Sequence, residues 1–474
     1  PNIDQLASEG VLFARHFCHV SACAPSRASM WTGIRPDLLR VWHLGDRFRD
    51  LNPDVVTMPQ YFNQHGYHTV SMGKIFHNHM PDSVSFVEPD LRPDAYKTAA
   101  MVDRDPESFY FDEAIREELA QVREERLRRN PRAYAGGWAY GRSTECSEAP
   151  DTAFYDGAQT ELALETLKRL KSEDKPFFLA LGYYRPHLPF VAPKRYWDLY
   201  DRDSLSLAPN PYLPEGSPVM AMNSTYELTG CYDLEYVRHP SMFQLQEDTA
   251  RLLKHGYYAC VSYVDACVGR LLEGLEELGL HENTIVVLWG DHGWKLGEHG
   301  SWCKQTNYLD DTRVPLIIRV PGTMEKGKSG TGSRVCMKLT ESVDIYPTLC
   351  ELAGLPLPQI LGGESMVPVM GNPTLPGKKA AFTQFHRRPR VTPDGGRYMG
   401  YSMITETYHY VEWYTWDHQQ KQAGTLEAVE LYDLGSDPGE NRNLADHADY
   451  SEIRSDLERL MKEDWPADRA FAGG

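Results

Sequence analysis

The sequence contains no apolar run of the roughly eighteen residues that a membrane-spanning helix needs. It is also short of basic residues, because 49 Lys and Arg oppose 67 Asp and Glu and leave a formal net charge of −18. This charge balance argues against general binding of nucleic acid or anionic membranes. Internal repeats and low-complexity tracts are absent as well, which excludes solenoid architectures. The 474 residues are otherwise ordinary for a globular protein, with 41% hydrophobic and 24% charged residues, and suffice for one large domain and a smaller one.

The nine cysteines follow neither the spacing of a zinc site nor that of a small disulfide scaffold. Cys260 and Cys267 lie two turns apart in an apolar helical stretch, where buried free thiols are expected. Apart from Cys23, the remaining cysteines permit disulfides without implying them. Cysteine usage therefore leaves the compartment open.

The sequence shows no signal peptide and begins at Pro1 without methionine. Residues 1–10 have the pattern of a helix start that is already inside a domain. We therefore expect the true N-terminus of this domain to lie upstream of Pro1.

Residues 23–33, Cys-Ala-Pro-Ser-Arg-Ala-Ser-Met-Trp-Thr-Gly, place a cysteine at the start of a predicted helix. Pro25 favours the first helical turn, and Gly33 ends the helix. A helix start offers free N–H groups and the positive end of the helix dipole, which suit an anion. Arg27, one turn after Cys23, adds a permanent cation. The stretch thus predicts a nucleophile directed at an oxyanion such as sulfate or phosphate.

Alternating strand and helix patterns predict an α/β domain with a large, mostly parallel sheet flanked by helices. Three predicted buried strands, 67–72, 176–182 and 284–289, are each followed by ionisable residues, and a further cluster follows at 297–304. Because the carboxyl ends of parallel strands meet at one edge, these residues are expected to converge. They are Lys74 and His77, His187, Asp291 and His292, and His299 and Lys304.

We predict two domains. Residues 1–372 form the catalytic domain, with an irregular insertion at 86–150 that includes a charged, solvated helix at 111–129. Residues 373–474 form a smaller C-terminal α+β subdomain. Its strands are expected on an antiparallel sheet at 398–405, 408–415 and 429–434, followed by an amphipathic helix at 451–463.

The motif at 23–33 resembles the signature of the sulfatase family, in which the cysteine is oxidised to formylglycine. Four further motifs resemble those of the iduronate-2-sulfatase group and its bacterial relatives, and the resemblance runs from about residue 1 to 444. They are Gly-Lys-x-x-His at 73–77, Pro-His-x-Pro at 186–189, Asp-His-Gly-Trp-x-Leu-Gly-Glu-His-Gly at 291–300, and the following Lys304. The resemblance implies an alkaline-phosphatase-like fold and a sulfuric ester hydrolase.

The resemblance also implies a role for each site residue. Cys23 becomes formylglycine and, with Asp291 and His292, binds Ca²⁺, with Mg²⁺ as the alternative ion. An upstream strand, missing from this sequence, would supply two further aspartate ligands. Among the other implied catalytic residues, Arg27 polarises the formylglycine hydrate. Lys74 and His77 orient the hydrate, with His77 as the base. His187 and Lys304 bind the sulfate and the leaving oxygen, and one of the two is the general acid.

Substrate-binding roles are expected for Trp294 and His299 and for a basic stretch in the smaller domain, His386, Arg387 and Arg388. Trp294 suits either stacking on a sugar or packing in the core. The arginine pair suits a sugar carboxylate or a second sulfate, and equally a solvated basic patch.

The expected substrate is a sulfated saccharide, with exo-acting removal of 2-O-sulfate from a uronic acid as the leading reaction. Two alternatives remain: a phosphonate or phosphodiester hydrolase of the same superfamily, and a glycan-binding protein without activity. The expected partners are this saccharide and a formylglycine-generating maturation enzyme, with no nucleic acid and no membrane span. The location is expected to be periplasmic, secreted or lysosomal.

Overall fold

The computed structural model describes residues 1–77, 81–93, 109–129, 141–173, 175–322, 334–389, 392 and 394–465. Parts of the predicted insertion, 94–108 and 130–140, therefore lie outside the described residues. Among the described residues, none of the helices combines the length and the apolar character required to cross a bilayer.

Helices and strands alternate along the first two thirds of the chain, and strands dominate the last third. The helices are α1 (Asn2–Glu9), α2 (Cys23–Thr32), α3 (Pro36–Leu39), α4 (Phe48–Leu51), α5 (Met58–Gln64), α6 (Glu113–Arg129), α7 (Tyr155–Lys171), α8 (Lys194–Trp197), α9 (Glu247–Glu277), α10 (Leu309–Thr312), α11 (Ile345–Leu352), α12 (Val367–Gly371) and α13 (Ser451–Asp464). The strands are β1 (Val11–Phe13), β2 (His16–Phe17), β3 (His68–Gly73), β4 (Thr144–Ser147), β5 (Phe177–Gly182), β6 (Phe190–Pro193), β7 (Val286–Trp289), β8 (Lys295–Leu296), β9 (Trp302–Cys303), β10 (Arg313–Val314), β11 (Leu316–Arg319), β12 (Arg334–Cys336), β13 (Thr340–Glu341), β14 (Ala381–Arg387), β15 (Tyr398–Ile404), β16 (Tyr408–Asp417) and β17 (Gln422–Asp433).

The central layer contains a mixed four-stranded sheet in the order β12-β1-β11-β7, in which β1 is parallel to β12 and β11 is antiparallel to both its neighbours. The extended segment at 313–319 is divided between two sheets. Its first part, β10, joins a sheet with β2 and β13, whereas β11 stays in the four-stranded sheet. Pro315 lies between the two parts, and proline has no N–H to continue a strand ladder.

A parallel pair, β3 and β5, lies in the same layer as β7. Val286 of β7 packs with Phe177 and Leu179 of β5 in one apolar cluster, and Val287 packs in a second cluster with Phe178. Among the described strands, β5 pairs only with β3 and β7 only with β11. Most residues of β5 and all residues of β7 are half-buried.

Helices cover both faces of this layer. On one face α7 and the long α9 pack against each other and against β5 and β7. On the other face α2, α5 and α11 share a cluster with β1 and β11. Helix α2 is thus enclosed between the sheet layer and α11, which fixes the position of its first residue, Cys23.

The C-terminal part forms an antiparallel sheet in the order β14-β15-β16-β17, with α13 packed into its cluster. The predicted α/β class and the antiparallel C-terminal sheet are confirmed. Of the basic stretch at 386–388, His386 and Arg387 are the last residues of β14. The charged helix was expected to be solvated, yet Ile115 and Leu119 of α6 are buried.

Candidate active site

The site is built around the first turn of α2. Every residue of this helix is buried, and Cys23 is only 2% exposed. Gly33 ends the helix in the left-handed region, with φ of 68°, as the sequence predicts. The indole N–H of Trp31 donates to the Ile75 carbonyl at 2.8 Å, so the helix is fastened to the segment that follows β3.

The Cys23 thiol is surrounded by positive groups. Its Sγ lies 3.2 Å from Lys74 Nζ and 3.1 Å from His292 Nε2. Burial opposes ionisation of the thiol, but the charges of Lys304, Lys74 and His292 outweigh it and hold the Cys23 pKa well below its ordinary value. The position therefore favours an anionic nucleophile and an anionic substrate.

Arg27 does not point at the thiol but ties the helix to two strand tips. Its Nε donates to Asp291 Oδ2 at 2.7 Å, and its Nη1 donates to the carbonyls of Lys74 and Ile75. Burial opposes ionisation of Asp291, yet Arg27, His292 and Lys74 hold its pKa well below the ordinary range. Asp291 is therefore a carboxylate beside the nucleophile.

The ring orientation of His292 is set by the backbone. Its Nδ1 lies 2.9 Å from the Gly293 carbonyl, which can only accept, so Nδ1 carries a proton and Nε2 is the nitrogen that faces Cys23. Ligand atoms of Cys23, Asp291 and His292 all lie within 4.8 Å of one another. One carboxylate, one imidazole nitrogen and the nucleophile fit part of the shell of a divalent cation, because Ca²⁺ takes six to eight ligands.

A second charged group lies beside the nucleophile. Lys304 Nζ is 2.8 Å from His187 Nε2 and 2.8 Å from Glu227 Oε1. It also lies 4.7 Å above the Trp294 ring. Burial opposes the charge of Lys304, but Cys23 and Glu227 together raise its pKa above the ordinary value. Burial and Lys304 lower the pKa of His187, so this imidazole is neutral.

Of the predicted site residues, the structure brings seven together around Cys23: Arg27, Lys74, His187, Asp291, His292, Trp294 and Lys304. His77 lines a separate cavity of about 180 Å³ beyond β3. His299 is fully buried, and its Nε2 lies 2.9 Å from the Gly439 carbonyl.

The three residues of the basic stretch at 386–388 lie in different surroundings. His386 is buried against His43 and Trp416, with ring centroids 4.3 and 5.4 Å away. Arg387 is fully buried and donates to the carbonyls of Met220, Ala221 and Gln305. Arg388 alone of the three is exposed.

Sequence reasoning missed Glu227, whose carboxylate lies beside both Lys304 and His187. It sits in an irregular segment just before a short 3₁₀ turn, Leu228–Gly230. Acidic residues are frequent in this chain, and no strand or motif marks this one. Only its neighbourhood in the fold reveals it.

A polarised nucleophile at a helix start, facing lysines and a carboxylate at the tips of an α/β sheet, defines a hydrolase of anionic esters with an alkaline-phosphatase-like architecture. Comparison with known proteins narrows this class. The Sulfatase family profile matches residues 1–355, and the profile of the N-sulphoglucosamine sulphohydrolase C-terminal region matches residues 297–465. The chain belongs to the sulfatase family and is a sulfuric ester hydrolase.

A curated relative agrees with this assignment, and solved structures agree with the fold. The chain is 32% identical to iduronate 2-sulfatase of Mus musculus, across 94% of this chain and 86% of the relative. A protein solved with its substrate D-glucosamine-2-N,6-O-disulfate superposes with a TM-score of 0.72 at 20% identity, covering 98% of this chain and 92% of that one. A phosphonate monoester hydrolase of Agrobacterium radiobacter superposes with a TM-score of 0.70 at 22% identity, covering 98% and 90%. The predicted resemblance is confirmed.

Proposed function

We propose that this sulfatase removes the 2-O-sulfate from a uronic acid at the end of a sulfated glycosaminoglycan fragment, with Cys23 matured to formylglycine. The observation that carries the catalytic part is the placement of Cys23 between Lys74 and His292, with Lys304 opposite. The substrate part is supported by the 32% identity to a relative named iduronate 2-sulfatase.

Formylglycine at position 23 would supply a hydrate with one hydroxyl to attack sulfur and a second to release the sulfate. Lys74 is placed to donate a hydrogen bond to whatever oxygen replaces the Cys23 sulfur, and it neutralises charge there. Arg27 holds Asp291 in place from below the same turn. We assign Arg27 the role of orienting the site rather than of touching the nucleophile.

Asp291 and His292 would hold a divalent cation, Ca²⁺ or Mg²⁺, together with the nucleophile at position 23. Such an ion would lower the pKa of the nucleophilic hydroxyl and offset the charge of the sulfate. His292 is oriented for this role because its Nδ1 proton is engaged by the Gly293 carbonyl. The two upstream aspartates implied by the resemblance stay a prediction.

The departing sugar oxygen needs a proton, and the hydrogen bonds of His187 and Lys304 indicate its source. His187 Nδ1 lies 2.9 Å from the Leu188 carbonyl, so it holds the proton, and Nε2 accepts from Lys304. Neutral His187 thus has no proton to give from Nε2. We propose that Lys304 is the general acid and that His187 holds it in place.

Substrate contacts are proposed for two residues. Trp294 is half-buried beside His187, and its ring suits stacking on a sugar. Arg388 is exposed and suits a carboxylate. A formylglycine-generating enzyme is the implied maturation partner. A periplasmic, secreted or lysosomal location fits an extracellular glycan as substrate.

The test is a screen of defined sulfated disaccharides, with released sulfate as the readout and mass spectrometry of the Cys23 peptide to measure maturation. We expect release from 2-O-sulfated uronate by matured wild type and none by Cys23→Ala, with an unchanged melting temperature because the loss is chemical. Cys260→Ala, a buried cysteine in α9, is the matched control and should stay active. Sulfate release by Cys23→Ala would contradict the mechanism. Faster hydrolysis of phosphonate or phosphate diesters by wild type would favour the alternative reaction.

A further inference from the structure

Glu227 is a buried carboxylate that the catalytic roles above leave unused. It is 1% exposed, and its Oε1 lies 2.8 Å from Lys304 Nζ and 3.3 Å from His187 Nε2. Neither carboxylate oxygen has a hydrogen bond of ordinary geometry among the described residues, so the contact with Lys304 is an ion pair. A buried carboxylate that is only partly satisfied is costly, so its retention requires a reason.

The segment that carries Glu227 holds Lys304 from several sides. Asn223 Nδ2 donates to the Lys304 carbonyl at 2.7 Å. The Tyr226 hydroxyl accepts a hydrogen bond from the side chain of Gln305, the residue after Lys304. The backbone of the lysine is therefore fixed by the same loop that supplies a carboxylate to its ammonium group.

The backbone on both sides of this contact is in an uncommon conformation. Cys303 and Gln305, which flank Lys304, have φ of 71° and 86°, and Thr225 has φ of 57°. Residues other than glycine rarely adopt positive φ, least of all a β-branched threonine. Such conformations persist where the surrounding structure enforces them, and they cluster at functional sites.

The Glu227 carboxylate supports the charge of Lys304 and, through Lys304, the position of His187. An ammonium group taken out of water needs a counter-charge to stay protonated, and Glu227 provides it to Lys304. The ion pair also keeps the ammonium nitrogen of Lys304 beside Oε1 of Glu227. His187 is held in place by the same ammonium group at 2.8 Å.

We propose that Glu227 is a positioning residue for the departure of the sugar: it keeps Lys304 charged and aimed so that this lysine can protonate the leaving oxygen. Glu227 itself touches neither substrate nor nucleophile. The inference rests on the proposed role of Lys304 as general acid. It makes Lys304, His187 and Glu227 one functional unit.

The test compares Glu227→Gln, which keeps the shape without the charge, with wild type on two kinds of sulfate ester. An alkyl or sugar sulfate needs a proton on its leaving oxygen, whereas 4-nitrophenyl sulfate has a stable leaving group. We expect kcat/KM to fall about 100-fold for the first and only a few-fold for the second, because general acid catalysis is worth about 10²–10⁴. The ratio of the two losses does not depend on how much of the variant is folded.

A double-mutant cycle with Lys304→Gln gives a second measure on the saccharide alone. We expect the double variant to be about as slow as Lys304→Gln, because the two residues act as a unit. Glu227→Asp should recover part of the activity. Glu430→Gln is the matched control, since Glu430 is equally buried but lies in the C-terminal sheet, bonded to Trp413 and Tyr432.

Equal losses on both esters, or effects of the two variants that simply multiply, would overturn the inference. If the aryl ester is not turned over, the cycle on the saccharide decides by itself. If Lys304→Gln shows no preference between the two leaving groups, the proposed acid is wrong. If Lys304→Gln loses more activity on the saccharide than on the aryl ester and Glu227→Gln does not, only the positioning role of Glu227 fails.

Discussion

Arg387, the last residue of β14, is fully buried, and its guanidinium donates to three backbone carbonyls. Its Nε and Nη2 donate to the carbonyls of Met220 and Ala221 at 2.7 and 2.6 Å, and its Nη1 donates to Gln305. Burial lowers its pKa to about 10, so the guanidinium is still charged at neutral pH. We predict that Arg387→Met destabilises the protein rather than weakening substrate binding.

The size of the effect follows from those three bonds. A hydrogen bond from a charged donor contributes about 1.5–3 kcal/mol net, and a buried carbonyl left alone costs about 1–3 kcal/mol. The losses are not additive, and the methionine keeps apolar contact with Phe385 and Trp413, which now lie 4.8 and 5.7 Å from the guanidinium carbon. We therefore expect a loss of about 4 kcal/mol. For a chain of this length that corresponds to about 4 °C in melting temperature if it unfolds as one unit.

The assay is thermal unfolding of both variants together with Michaelis–Menten kinetics on the saccharide found by the disaccharide screen. Arg388→Met is the matched control, because this neighbouring arginine is exposed and should leave the melting temperature within about 1 °C. A substrate contact by Arg388 would appear as a raised KM in that variant. An Arg387→Met protein that melts like wild type but has a raised KM would refute our reasoning.

Two further predictions concern the metal and pH. Asp291→Asn should abolish sulfate release. It should also remove the rise in melting temperature that we expect when Ca²⁺ binds wild type, since a ligand that binds the folded state stabilises it. A Ca²⁺-dependent rise in melting temperature that survives the substitution would exclude Asp291 as a ligand. Burial lowers the pKa of His386 to about 2, so its neutral form stabilises the fold fully above the unfolded value of about 6.5 and this contribution is lost as pH falls below that value. At pH 5 the loss is about 2 kcal/mol. Urea unfolding of His386→Phe should therefore show a weaker loss of stability between pH 8 and pH 5 than wild type, and an unchanged loss would contradict the assignment.

Lys74 and Asp291 were predictable because each closely follows a predicted buried strand, and both lie beside Cys23, as convergence at one sheet edge requires. Lys304 was predictable only from the cluster of ionisable residues at 297–304. The roles within the group were not predictable. Whether Arg27 reaches the nucleophile or Asp291, and which nitrogen of His187 carries its proton, depends on distances of a few tenths of an ångström that no residue pattern encodes.

The C-terminal sheet shows a different limit of prediction from sequence. Alternation of polar and apolar residues identifies a strand with one solvent-exposed face, but every residue of β14 is buried, because apolar clusters cover both faces of this strand. His386 and Arg387 are therefore polar residues inside the protein, and their polarity suggested exposure. Glu227 was missed for the opposite reason, since it lies in an irregular segment where polarity is expected and carries no signal.

The charge of the site resolves the apparent conflict between an acidic protein and an anionic substrate. Around Cys23 the described residues place three cations, Arg27, Lys74 and Lys304, against two carboxylates, Asp291 and Glu227, which leaves a single excess positive charge. A uronate carrying one sulfate brings two negative charges, so the protein groups alone do not balance it. A divalent cation held by Asp291 and His292 would more than supply the one charge that is missing, and the outer acidity, beyond a screening length of about 8 Å, contributes little at this depth. The net charge of −18 therefore describes the surface, whereas the substrate is selected by the few buried groups that face the nucleophile.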